Sequence, residues 1–116
     1  MKTTKKDFEL FKKECEKWIK KLGLDNKRVT IYWSDLEPET AACIYRDLLQ
    51  ASVEIHLCKD YESHTLTDEK IKGHAKHEVI HLLLADLSVY AGSRYVTQQE
   101  LQKSEEELVR KLEKLL

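Results

Sequence analysis

Between Val79 and Leu84 the chain reads VIHLLL, and His81 is the one polar residue in it. A helix that is apolar on almost every side is stable in water only when other elements surround it, so this segment belongs at the centre of the fold. A histidine there needs a hydrogen-bond partner or a metal, because a buried polar group without one costs roughly 2–7 kcal/mol. The residues just before it complete a pattern. His77, Glu78 and His81 form H-E-x-x-H, with the two imidazoles four residues apart on one helical face.

That spacing has a mechanical meaning. Two imidazoles one turn apart can both reach a single ion at the roughly 2.0–2.1 Å that zinc–nitrogen bonds require. Glu78 is offset by about 100° of helical turn from His77, beside the ion and not on it. A metal there lowers the pKa of its water toward about 7, and the neighbouring carboxylate can take the proton and pass it to a leaving amine. Glu78 is therefore the candidate general base. His74 shares the face, but seven residues of helix rise about 10.5 Å, too far for His74 and His81 to meet on one ion. His74 is expected at the rim, as a substrate contact or a solvated side chain.

The surroundings suit one domain over residues 1–116. Hydrophobic residues make up 41% and charged residues 35%, enough for a small core beneath a charged surface. The net charge of −1 supplies no field that would draw the chain to nucleic acid or a lipid surface. No apolar run approaches a membrane span, and the N-terminus enters a charged periodic segment without a signal-like apolar stretch. Cys15, Cys43 and Cys58 are odd in number and lack a C-x-x-C spacing, which points to thiols in a reducing compartment. The expectation is a cytoplasmic protein.

Phe8, Phe11, Cys15, Trp18, Ile19 and Leu22 recur at three and four, predicting an amphipathic helix closed by Gly23. RVTIYW (28–33) reads as a strand. AACIYRDL (41–48) and ASVEIHLC (51–58) follow as two more, paired antiparallel across a short link. KDYESHTLTDEK (59–70) reads as a polar loop. Thr67 is the expected N-cap of the helix carrying the motif, with Asp68 and Glu69 in its first turn; Gly92 ends that helix or the loop after it. Thr97 and Glu100 form a capping box for a last helix running to Leu116. The fold class is α+β: helix, small three-stranded sheet, motif helix, terminal helix.

A catalytic zinc usually has three protein ligands and an open position. The terminal helix, with SEEELVRKLEKLL, offers the third. Its apolar stripe passes through Leu101, Leu108, Val109, Leu112, Leu115 and Leu116, and Glu105 falls near the middle of that stripe. A carboxylate aimed at a core is costly unless paired or bound to a metal, so Glu105 is the first candidate and Glu106 the alternative. Glu107 lies on the far side.

HEVIHLLL followed some two dozen residues on by EEELV and an apolar helix resembles the small gluzincin-type zinc peptidases. It is similar in particular to short metallopeptidases encoded by phages and prophages in bacteria. The resemblance covers most of the chain in order of elements, but its letters are specific only around residues 77–84 and 105–112. It implies a minimal zincin fold, with zinc held by His77, His81 and one of Glu105 or Glu106, and Glu78 as general base. It also implies that segment 41–58 supplies a strand edge lining the substrate cleft. Tyr90, Arg94 and Tyr95, between the two metal helices, are candidates to stabilise an oxyanion. No histidine follows His81, which sets aside patterns that draw a third histidine from downstream. The function so implied is hydrolysis of peptide or protein substrates, with no nucleic-acid or membrane partner. The alternative is a domain of the same fold that has lost hydrolysis and serves interaction or regulation, binding zinc structurally or not at all.

Overall fold

The computed structural model describes residues 2–25, 27–47, 52–61, 66–85 and 97–115. Helix α1 spans Lys5–Lys21, followed by strands β1 (Arg28–Ser34), β2 (Ala42–Asp47) and β3 (Ser52–Cys58). Helices α2 (Asp68–Leu83) and α3 (Gln98–Leu115) complete an α+β fold. No helix among the described residues is long and apolar enough to cross a membrane.

Each helix starts where its sequence supplies a cap. The Thr4 hydroxyl accepts from Asp7 N while the Asp7 carboxylate accepts from Thr4 N, a capping box that opens α1. Thr67 caps α2 by accepting from Lys70 N, and Thr97 accepts from Glu100 N at the start of α3. Past the end of α1, Gly23 takes φ 70°, a left-handed turn that glycine enters without a side-chain penalty.

The sheet order is β1-β3-β2. Strands β2 and β3 pair antiparallel, as the short link predicts, with Ile44 opposite Ile55. Strand β1 pairs parallel with β3, placing Ile31 beside Ile55, so β3 is central and the sheet is mixed. The period of two then sorts the side chains. Val53, Ile55 and Leu57 turn to one face and are buried there with Phe11, Cys15 and Trp18 of α1 and with Ile71, Ala75, Val79 and Leu82 of α2. Leu66, within the segment read as a polar loop, is also part of this core. On the other face stand Tyr32 and Tyr45, both exposed.

Helix α2 is central, as VIHLLL demands: Val79 and Ile80 are inaccessible to solvent and Leu82 nearly so. Leu83, by contrast, remains 38% exposed, so the burial is not all-round. Helix α3 lies against α2 and buries Val109. The position of Gly92 lies outside the described residues.

Candidate metal centre

The caps and packing of α2 and α3 decide which side chains meet. The four-residue spacing brings His77 and His81 together edge-on, their rings 4.9 Å apart on one side of α2. Glu105, Glu106 and Glu113 project from α3 toward them.

Each ring is held through its Nδ1. His77 Nδ1 lies 2.8 Å from Glu113 Oε1, and His81 Nδ1 lies 2.9 Å from Glu105 Oε1. An ionised carboxylate only accepts, so each Nδ1 carries the proton and donates it. In a neutral imidazole the other nitrogen, Nε2, is then a bare lone pair. The two Nε2 atoms are 3.2 Å apart. Glu106 straddles them, Oε1 at 3.2 Å from His77 Nε2 and Oε2 at 2.9 Å from His81 Nε2. Two lone pairs and a carboxylate thus converge, an arrangement that requires either an extra proton on a ring or a cation between them.

The spacing suits a cation. Zinc bonds of about 2.05 Å at the tetrahedral angle separate neighbouring ligand atoms by roughly 3.3 Å. The observed separations of 2.9–3.2 Å come close to that edge length. His77, His81 and Glu106 form a group whose ligand atoms all lie close enough to hold one metal ion. A carboxylate on each Nδ1 is the partner that metal-binding histidines use to fix tautomer and ring orientation.

Of the two acids expected to supply a third ligand, it is Glu106, the alternative, and not Glu105 that joins this group. Glu105 is indeed turned inward, only 6% exposed, as its place in the apolar stripe predicts. Its depth serves another purpose: its Oε1 meets His81 Nδ1 and Arg46 Nη1, the latter at 3.2 Å. Glu106, a further 100° around α3, is the one facing both Nε2 atoms. Stripe geometry finds the more buried acid, whereas the one grouped with His77 and His81 is at the margin of the stripe, between core and solvent.

Glu78 does not join the group and sits beside it, 6% exposed. Burial pushes its carboxyl above the ordinary range, with partial relief from His77 and His81. A cleft of about 680 Å³ opens next to it, with His77, Glu78, His74 and Glu113 on one side and Ala41 and Ala42, at the start of β2, among its other walls. His74 lines this cleft, its ring edge-on to Tyr61, and burial lowers its pKa. Tyr90, Arg94 and Tyr95 lie outside the described residues.

Two participants escape a reading of the sequence. Glu113 stands seven residues after Glu106, two turns along the same face of α3, a spacing that could have pointed to it. Its backbone carbonyl also accepts from Lys76 Nζ at 3.0 Å, which ties the end of α3 to α2. Arg46 comes from a strand remote in sequence, and nothing local marks it.

No protein-family model, curated protein or solved structure matches this chain.

Proposed function

We propose that this chain is a zinc-dependent peptidase with a minimal zincin fold of the gluzincin type. The observation that carries the reading is the convergence of His77 Nε2, His81 Nε2 and the Glu106 carboxylate at separations of 2.9–3.2 Å, with both Nδ1 atoms already committed to other carboxylates. His77, His81 and Glu106 hold the ion. When bound, zinc supplies a Lewis acid for a carbonyl oxygen and acidifies water at neutral pH.

The chain's own residues do the rest. Glu78 takes a proton from the attacking water and returns it to the departing amine. Its burial supports this role, since a carboxyl with a raised pKa is a stronger base than an exposed one. Strand β2 is at an edge of the sheet among the described strands, and its first residues wall the cleft. An extended peptide that adds to that edge would run past Glu78, its main chain held by strand pairing. Ala41 and Ala42 are small enough to let a backbone approach closely.

The test has two readings on one preparation. The purified chain is expected to contain one zinc per molecule and to cleave members of a fluorescence-quenched peptide library. Glu78→Gln is expected to keep the zinc and lower turnover by at least about 100-fold, the scale of a lost general base. Full turnover in that variant would remove Glu78 from the mechanism. Zinc uptake without cleavage of any peptide would favour a binding domain that has lost hydrolysis.

A further inference from the structure

The inward face of the sheet is apolar where β3 and β1 form it, through Val53, Ile55, Leu57, Val29, Ile31 and Trp33. On β2 that face continues with Ala42 and Ile44 and then reaches Arg46, in register with Val53. A guanidinium placed there has to be paired to offset its lost hydration. Arg46 is 21% exposed at its side chain and its Nη1 lies 3.2 Å from Glu105 Oε1. That same oxygen accepts from His81 Nδ1 at 2.9 Å. A line of contacts therefore runs from the edge strand to a ligand of the proposed metal: Arg46, Glu105, His81.

We infer that Arg46 is a positioning residue for the metal centre, holding the Glu105 carboxylate so that His81 presents Nε2 to the ion. The inference rests on His77, His81 and Glu106 being a zinc site. Glu105 is carried by a helix on one side of His81 and anchored from the sheet on the other. A glutamate side chain has three rotatable bonds, and its contact to an imidazole does not by itself fix the orientation of the ring. A charge-assisted contact from a different element, the sheet, adds a restraint on both carboxylate and ring from a second direction. The link also joins the strand that walls the cleft to the metal's second layer of partners, so β2 and the ion are braced by one side-chain chain.

The experiment measures zinc affinity of the metal-stripped full chain by competition with a chromophoric chelator. Arg46→Met, which keeps an unbranched apolar stem, is expected to weaken zinc binding about 10- to 100-fold, the range for lost outer partners of metal ligands. In a Glu105→Gln background the same substitution is expected to change affinity by less than about twofold, because the partner through which it acts is already altered. Arg46→Lys, retaining the charge, should recover part of the loss. Equal affinity in Arg46→Met and the unaltered chain overturns the inference, and so does an undiminished loss in the Glu105→Gln background. If the methionine variant does not fold, Arg46→Gln replaces it; a several-fold loss is expected, and unaltered affinity overturns the inference. Failure of the unaltered chain to take up zinc overturns both the inference and the metal site on which it rests. Retained zinc binding with Arg46→Met unaffected overturns the inference alone.

Discussion

Among the described residues, two sets of histidine, acid and neighbouring polar groups differ in what is left over. Between α2 and α3, each imidazole uses Nδ1 on a carboxylate and keeps Nε2 for a common point. On the open face of the sheet, His56 uses both nitrogens: Ser34 Oγ lies 2.8 Å from Nδ1 and Glu54 Oε1 lies 2.9 Å from Nε2. Tyr32 stacks on its ring at 5.0 Å and Tyr45 meets it edge-on at 5.3 Å. Serine, histidine and glutamate in a hydrogen-bonded row have the letters of a catalytic triad. Yet their polar atoms are spent on one another, His56 using both ring nitrogens on Ser34 and Glu54, and none is left directed at a common point. A site is made by atoms whose bonding capacity converges unspent. The helix pair achieves this because residues four apart on one helix face acids from another. A strand sends its neighbours to opposite faces and pairs the rest.

The largest expected effect would break that comparison outright. Glu106→Gln and His81→Ala are each expected to abolish stoichiometric zinc uptake, measured by metal analysis after dialysis against trace zinc. His56→Ala should leave the zinc content unchanged and cost about 1 kcal/mol of stability, through the lost cross-strand and ring contacts. Zinc lost from His56→Ala and kept by Glu106→Gln would invert the assignment of the two regions.

A second test concerns Glu78, whose raised pKa comes first from burial. In the folded chain the carboxyl keeps its proton to a higher pH than in the unfolded chain. Its contribution to stability is thus present in full below the unfolded pKa of roughly 4.3 and is lost as pH rises through the folded value. In metal-stripped protein, Glu78→Gln should remove that loss. The variant is expected to exceed the unaltered chain by on the order of 1 kcal/mol near neutral pH in urea unfolding, and to converge with it toward pH 4. A constant difference across that range would show that the cost is not one of ionisation.

How far the sequence reached follows from the range of each signal. Periodicity and caps are local, and they place α1, the three strands, the start of α2 and α3 close to their observed bounds, while the Gly92 stop lies outside the described residues. The H-E-x-x-H spacing is local too, and it is enough to put His77 and His81 on one face of α2. Antiparallel pairing of β2 with β3 was legible from their short link, whereas the parallel pairing of β1 with β3 carries no such mark. Which acid of α3 faces the two Nε2 atoms depends on the rotation of one helix against another. A stripe of leucines fixes that rotation only to within a residue, which is the difference between Glu105 and Glu106. Arg46 depends on sheet register and helix docking together. It became visible only when both were in place.

The smallest expected effect sharpens the contrast between the covered and open faces of the sheet, with the three thiols as reporters. Cys15 and Cys58 are inaccessible to solvent, and Cys15 sits in the core beneath α2. Cys43 stands opposite His56 on the open face and is half-buried. Burial pushes the Cys15 thiol far up, with the Glu78 carboxylate adding to the effect. Cys43 is also raised by burial, but its contact with Tyr45 works the other way. Alkylation proceeds through the thiolate and requires access. Brief iodoacetamide treatment of the native chain at pH 8, followed by peptide mass analysis, should therefore modify Cys43 slowly, below the rate of a free thiol, and leave Cys15 and Cys58 untouched. In denaturant all three should react alike. Modification of Cys15 ahead of Cys43 in the native chain would mean that the helical side opens more readily than the face of the sheet that carries Tyr32 and Tyr45. The packing of α1 and α2 over that side could then not be the protein's most stable layer.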